Sequence, residues 1–459
     1  MTDRENSNPI LAAWRSVLAR RGEEAAILGA DGNGVRTFAA IEAEVREMEA
    51  ALERLQTGTA VGVQFGNDAR FPALLLALWR RGLVPVPLDR SLGKEAIATA
   101  LRVCGAGALV TPSYAGGIAI ERRADASTVD ADFLKLTSGT SGDPRAIRFR
   151  AAQLLADCEA VCDTMEIGAD DLNFGVIPWS HSYGFSSLLT PLLCRGVPVV
   201  ASDERLPRAL LEGLARTGAT VFPGLPVLFQ TLAELDGAPL PKLRLCISAG
   251  APLSAAVAEK FRARFGVKIH GFYGSSECGG IAYDASEAPV PEGCVGEPVR
   301  GVRLVHDATT GRVEVHGPAV GEGYFPEPDA GVLGAGRFVP GDLVERTPQG
   351  FVLAGRVSDF INVAGRKLNP AEVESCLRKI AGVREVIVFG VPGGLRGEEP
   401  VACVVGDTSA AVLRQFCRAN LAAWQVPRDF WIMEALPFNE RGKLSRRALA
   451  EMYRLRATQ

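Results

Sequence analysis

Apolar residues recur at turn spacing over residues 9–55, interleaved with Glu and Arg, so the opening of the chain reads as helix. The turn Asp31-Gly32-Asn33-Gly34 interrupts it and Thr37 restarts it. The pattern then changes. Residues 60–65 predict a strand, 69–81 a buried helix, 84–88 a second strand, 91–103 another helix and 108–110 a short third strand. Strand, crossover helix and strand in succession imply a parallel sheet covered on both faces.

Farther along, a strand running into a turn of small residues recurs four times. Asn173-Phe174-Gly175-Val176-Ile177-Pro178 leads into Trp179-Ser180-His181-Ser182-Tyr183-Gly184. Residues 219–226, 243–253 and 268–277 repeat the arrangement. Ligands of parallel sheets bind beyond the strand ends, so the four turns read as the rim of one site. Between the two series lies Leu136-Thr137-Ser138-Gly139-Thr140-Ser141-Gly142-Asp143-Pro144-Arg145. Residues 131–136 before it form a short apolar run and 146–149 after it alternate, so the stretch reads as a hairpin. Its glycines, hydroxyls and cation suit a phosphate cradle, although a Ser/Gly surface turn has the same composition. It is not the Gly-Lys-Ser/Thr phosphate loop, because Asp143 follows Gly142.

Composition narrows the class. The 459 residues exceed one core and fit two or three domains. An apolar content of 47% with 22% charged residues is that of a globular protein, and a net charge of -3 argues against a nucleic-acid partner. The polar start carries no signal-peptide core, and no apolar run approaches a membrane span, so a cytoplasmic location is expected. The ten cysteines lack paired metal-ligand spacing and read as reduced, buried residues.

The ordered set of motifs resembles the adenylate-forming superfamily of acyl-CoA synthetases, peptide-synthetase adenylation domains and beetle luciferases. The resemblance rests on residues 137–145, on Tyr273-Gly274-Ser275-Ser276-Glu277, and on Gly341-Asp342. It continues in Gly355-Arg356-Val357-Ser358-Asp359 with Gly365-Arg366-Lys367, and in Pro437-Phe438-Asn439-Glu440-Arg441-Gly442-Lys443. It implies an α/β fold: a large N-terminal domain of β-sheets layered with helices, residues 1–356, and a small C-terminal α+β domain, residues 357–459, joined by a hinge. A helix at 370–380 and strands at 385–389 and 400–405 agree with a compact unit there.

The same resemblance implies residue roles. Thr137, Ser138, Gly139, Thr140, Ser141, Gly142 and Arg145 would cradle the phosphates of ATP. Gly250, Ala251, Pro252, Tyr273 and Gly274 would border adenine, and Ser276 would bond the α-phosphate. Glu277 would hold Mg2+, a hard cation suited to oxygen ligands. Asp342 would accept from both ribose hydroxyls, and Arg356 would assist at ribose or phosphate. Lys443, on the mobile domain, would reach the substrate carboxylate and the AMP phosphate. Rotation about the hinge at Ser358 would then bring the Gly365 loop to the site for thiol transfer.

His181-Ser182-Tyr183-Gly184 looks like the loop of acyl- and aryl-CoA ligases, in which the histidine lies beside the carboxylate. No Asp is available there for an α-ammonium group, and Gly274 stands where short-acid synthetases carry a tryptophan. A non-amino acid larger than acetate, aliphatic or aromatic, is therefore expected, with a role in fatty acid metabolism within the range. Phe222, Gly224 and Gly274 are expected around it, with Val176, Pro223, Leu225, Phe185 and Ser248. Arg145 replaces the family's lysine and Ser358 a common hinge Asp or Lys, which leaves an inactive nucleotide-binding scaffold as the alternative of another class. The acceptor is expected in trans, as CoA or as the phosphopantetheine of a separate carrier protein, and a homodimer is compatible with the sequence.

Overall fold

A computed structural model describes residues 8–114, 116–124, 127–137, 144–204, 206–237, 239–363, 366–393, 397–437 and 445–457. The chain divides into two compact units. The first comprises Met1–Val305, Glu314–Pro340 and Thr347–Val352; the second comprises His306–Val313, Gly341–Arg346 and Leu353–Gln459.

The first unit opens on the helix Pro9–Arg21, whose leading amides bond the side chain of Asn8 at 3.0 and 3.3 Å. The expected continuation as helix is replaced by a hairpin of β1 (Ala25–Gly29) and β2 (Gly34–Thr37). The apolar run in β1 suits either state, and pairing decides it: Ile27, Leu28 and Gly29 lie in parallel register with Val199, Val200 and Ala201. Gly32, at φ +85°, makes the connecting turn. The helix Phe38–Ala51 follows.

Strands β3 (Ala60–Val63), β4 (Val84–Pro87), β5 (Ala108–Pro112) and β6 (Ile118–Arg122) form a sheet in the order β4-β3-β5-β6. Both neighbours of β3 run parallel to it, as the strand-helix-strand pattern predicts. Every residue from Phe71 to Trp79 in the intervening helix Phe71–Arg80 is buried, consistent with apolar character on all its sides. Strands β7 (Phe133–Thr137) and β8 (Arg145–Phe149) pair antiparallel, so the phosphate-loop stretch does join a hairpin, but residues 138–143 lie outside the described residues.

The site-bearing sheet contains β9 (Asn173–Gly175), β10 (Val199–Ala201), β11 (Val221–Gly224), β12 (Leu245–Ser248) and β13 (Ile269–Ser275). With β1 they run parallel in the order β1-β10-β9-β11-β12-β13. Phe174, Phe222, Phe229 and Phe261 fill the core on one of its faces. Strand β14 (Gly279–Tyr283) turns back antiparallel on β13. The base of that hairpin is clasped by Lys268, whose Nζ donates to Asp284 Oδ2 at 2.6 Å and to Ser286 O at 2.5 Å. All ten cysteines are free and buried, as the sequence leads one to expect.

In the second unit the strands Val383–Pro392 and Glu398–Gly406 pair antiparallel, and Asp429–Met433 joins them in parallel. Side chains alternate between two apolar clusters. Val386, Val388, Ala402 and Val404 face the helices Pro370–Leu377 and Ala410–Asn420, while Phe389, Val391, Val401 and Cys403 pack toward Leu449 of the helix Arg446–Ala457.

Because Lys268 and Asp284 are both buried, removing one leaves the other's charge uncompensated. Asp284→Ala is expected to destabilise the first unit by about 3–5 kcal/mol, seen as a lower urea midpoint. Asp284→Asn, which keeps an acceptor, is expected to lose less.

Candidate active site

Strand β9 has β10 on one side and β11 on the other, so the chain changes direction across the sheet at β9. Crevices open beyond the carboxyl ends of parallel strands at such a point. Here the crevice receives the loop after β9. Asn67 fixes that loop: its Oδ1 accepts from Trp179 N at 2.9 Å, and its Nδ2 donates to Gly175 O and Ser202 O at 2.9 Å each. A Cβ at Gly184 would lie 2.2 Å from Pro178 O, so the tight return of the loop requires glycine.

His181 leaves this loop toward a second strand end. Its Nε2 lies 2.9 Å from Oδ2 of Asp89, two residues beyond β4. Asp89 Oδ1 also accepts from Ser91 N at 2.8 Å and Ser91 Oγ at 2.6 Å. The hydrogen bonds from His181 and then Ser91 hold the Asp89 carboxyl well below the usual carboxylate range. An ionised carboxylate only accepts, so His181 donates through Nε2–H and, in the neutral ring, keeps a lone pair on Nδ1. Asp89 therefore contributes stability that is present above the ordinary carboxylate pKa and lost as pH falls below it.

The tip of β13 approaches the same loop. Ser182 Oγ donates to Ser276 Oγ at 2.9 Å. Glu277 accepts from Ser275 Oγ, and from Tyr324 OH at 3.0 Å. Tyr324 belongs to the strand Gly323–Phe325, which pairs with β8. Burial and then the charge of Glu277 raise its phenol pKa, so it remains a donor. The guanidinium of Arg145 lies 4.0 Å from the Tyr324 ring centroid, and its Nη2 donates to Glu327 O at 3.2 Å. Thr137 stands opposite Arg145 in register. Arg145, Tyr324 and Glu277 thus form one connected line.

The other predicted residues are spread over several places in the chain. Tyr273 is buried and Gly274 exposed on β13, where a Cβ on Gly274 would come within 2.9 Å of Gly279 O. Gly250, at φ +86°, forms an exposed turn with Ala251 and Pro252 beyond β12, and Gly224 ends β11. Phe222 stands apart from them: it is fully buried, its ring centroid 6.2 Å from that of Phe174 and 5.3 Å from that of Phe229. Ser138, Gly139, Thr140, Ser141, Gly142, Gly365 and Lys443 lie outside the described residues.

Within the second unit, Arg356 Nε donates to Asp342 Oδ1 at 2.5 Å, and Asp342 is buried. Ser358 is exposed in the short turn Val357–Asp359. Gly355 adopts φ +133°, and a Cβ there would meet Asn369 Oδ1 at 2.7 Å. Three residues beyond Lys443, Arg446 donates to Asp359 at 2.6 Å, Glu374 at 2.7 Å and Val388 O at 3.0 Å.

Comparison with known proteins gives the class. The sequence profile of the AMP-binding enzyme family matches residues 14–136 and 121–325, and that of the AMP-binding enzyme C-terminal domain matches 372–443. The chain belongs to the AMP-binding enzyme family. It is 27% identical to a feruloyl-CoA synthase of an Amycolatopsis species, over 95% of this chain and 98% of that one. It is 28% identical to the naringenin synthase of Pestalotiopsis fici over 90% of this chain, which spans only 18% of that protein's length. The crystal structure of ATP-bound MatB from Rhodopseudomonas palustris has the same fold, with a TM-score of 0.85 at 24% identity, covering 96% of this chain and 98% of that one.

Sequence reasoning missed Asp89, Tyr324 and Lys135. Asp89 follows an apolar strand directly, which is the signal that singled out His181 and would have found it. Tyr324 carries no local signal. Lys135 interrupts an apolar strand, and that interruption is itself a cue.

With four histidines in the chain, nitrogen NMR can read each ring. His181 is expected as the Nε2–H tautomer when neutral, and Asp89→Ala is expected to turn it into a mixture of tautomers. An unchanged ring in that variant would show that Asp89 does not set the proton.

Proposed function

We propose that this protein activates a carboxylic acid by in-line attack of its carboxylate on the α-phosphorus of ATP, releasing pyrophosphate, and then transfers the acyl group from AMP to the thiol of CoA. The observation that carries the reading is the meeting of His181, Ser182 and Ser276 at one set of strand ends, beside the Arg145–Tyr324–Glu277 line. Both reactants are anions, so the site must neutralise charge and orient them. Ser276 is assigned to the α-phosphate. Thr137, Arg145 and the loop 138–142 are assigned to the outgoing phosphates, Tyr273, Gly274 and Gly250-Ala251-Pro252 to adenine, and Asp342 with Arg356 to the ribose. His181, its proton held on Nε2 by Asp89, offers Nδ1 and its ring face to the acid.

Glu277 fits Mg2+: it is a carboxylate oriented by two hydroxyl donors next to the assigned phosphate ligand, and hard oxygen donors suit that ion. When bound there, Mg2+ would neutralise phosphate charge. Lys443 is assigned the carboxylate and phosphate oxygens between which charge moves, and Ser358 and Gly365 the domain alternation around the 356/357 boundary. The preferred acid is a non-amino aliphatic or aromatic acid larger than acetate, with Gly224 and Gly274 beside it. The feruloyl-CoA synthase relative, aligned along nearly its whole length, supports both the aryl range and CoA as acceptor. A second reading is transfer of the acyl group to the phosphopantetheine thiol of a separate acyl carrier protein.

The test is AMP formation from ATP over fatty, aryl and dicarboxylic acids, with and without CoA, with products read by mass spectrometry. Acid-dependent AMP with an acyl-CoA product is expected, and Lys443→Ala is expected to lower the rate about 100-fold. Acyl-AMP that accumulates unless a carrier is supplied would favour the second reading. ATP binding with no AMP from any acid would favour the scaffold.

A further inference from the structure

Lys135 lies on β7 on the same side as Phe133 and Thr137. The residue is only 5% exposed. Its Nζ is 4.6 Å from the ring centroid of Phe149 and 5.7 Å from that of Phe185, and among the described residues no hydrogen bond or ion pair reaches it. An ammonium taken out of water without a directly bonded anion is costly, and two aromatic faces offset only part of that cost. The surrounding carboxylates have other partners. Asp157, from the helix Ala151–Thr164, accepts from Gly280 N at 2.8 Å and Ser186 Oγ at 2.5 Å. Glu277 accepts from Ser275 and Tyr324.

Lys135 lines a cavity of about 40 Å3 whose wall also carries Ser180, His181, Ser182 and Ser276. Ser180 Oγ is buried with no hydrogen-bond partner among the described residues. A cavity of this size has room for two or three waters, or for one carboxylate or phosphoryl group. The wall therefore combines a buried cation with no hydrogen-bonded or ion-paired partner among the described residues, a hydroxyl in the same condition, and the two residues assigned to the reacting groups.

We propose that Lys135 and Ser180 form a buried oxyanion site in this cavity, taking an oxygen of the reacting carboxylate or of the α-phosphate. The inference rests on the adenylation reading for the identity of the anion, but not for its charge. Burial lowers the pKa of Lys135, opposed by Asp157, Cys278 and Glu277, the latter two from the turn between β13 and β14. His181 faces the same cavity from the loop after β9. The ammonium consequently loses its proton at a lower pH than an ordinary lysine, and anion binding weakens as pH rises through that range.

The experiment compares wild type with Lys135→Met, which keeps an unbranched apolar stem. AMP and adenosine are titrated by calorimetry between pH 7 and 10, and acid-dependent ATP–pyrophosphate exchange is measured with octanoate and ferulate. If the phosphate is the anion, the variant loses about tenfold in AMP affinity with adenosine unchanged, and its alkaline fall in AMP affinity disappears. If the carboxylate is the anion, AMP binding holds and the acid's KM rises about tenfold with the ATP KM unchanged. Ser180→Ala is expected to give a several-fold loss in the same arm.

Lys135→Met is expected to melt no lower than wild type, because it removes a buried charge. A folded variant with unchanged AMP affinity, acid KM and pH profile would overturn the proposal and leave Lys135 a packing residue. Wild type without acid-dependent exchange, but with an AMP affinity that depends on Lys135, would instead overturn the adenylation reading and keep the oxyanion site.

Discussion

Parallel strand pairing is the constraint on which the first unit depends. Each parallel neighbour requires a crossover, so the carboxyl ends of β9, β11, β12 and β13 emerge along one edge and deliver four turns to one place. The second parallel sheet, carrying β3 and β4, ends where Asp89 can meet His181. The site is therefore a consequence of chain direction before it is a consequence of any single side chain. Asn67, buried between Trp179, Gly175 and Ser202, joins the loop to the strands that carry it.

Charge placement follows from that geometry. The proposed chemistry brings two anions together, and the chain supplies hydroxyls and a few cations in a partly dry setting where each counts for more than in water. Glu277 follows the proposed phosphate ligand Ser276 in sequence, and its two hydroxyl donors fix the carboxylate proposed to take a hard cation. Arg145, whose guanidinium carbon lies 4.0 Å from the Tyr324 ring centroid, places a cation against an aromatic face at the position that resembles the family's lysine.

Much of this was legible in the sequence, for identifiable reasons. Strands such as 221–224 and 269–275 are short apolar runs ending in small residues, and that pattern is local. The hairpin around residues 138–143 was likewise legible from its flanks. What escaped depends on distant partners. Residues 25–29 read as helix because Ala and Leu are indifferent, and only pairing with β10 makes them a strand. Asp89 gains meaning from a histidine 92 positions away. Phe222, read as a pocket wall from its place at a strand end, points into the core, because adjacent strand residues face opposite sides. Lys135 was absorbed into an apolar run, where its burial could not be seen.

The proposed chemistry begins with attack of the carboxylate oxygen on the α-phosphorus. A turnover with acid labelled with oxygen-18 in its carboxylate, in the presence of ATP and CoA, tests this most directly. Attack at the α-phosphorus followed by thiol attack at the carbonyl leaves one labelled oxygen on AMP, and that product is predicted. Label in inorganic phosphate with ADP as the other product, or thioester formed with unlabelled AMP, would contradict the account.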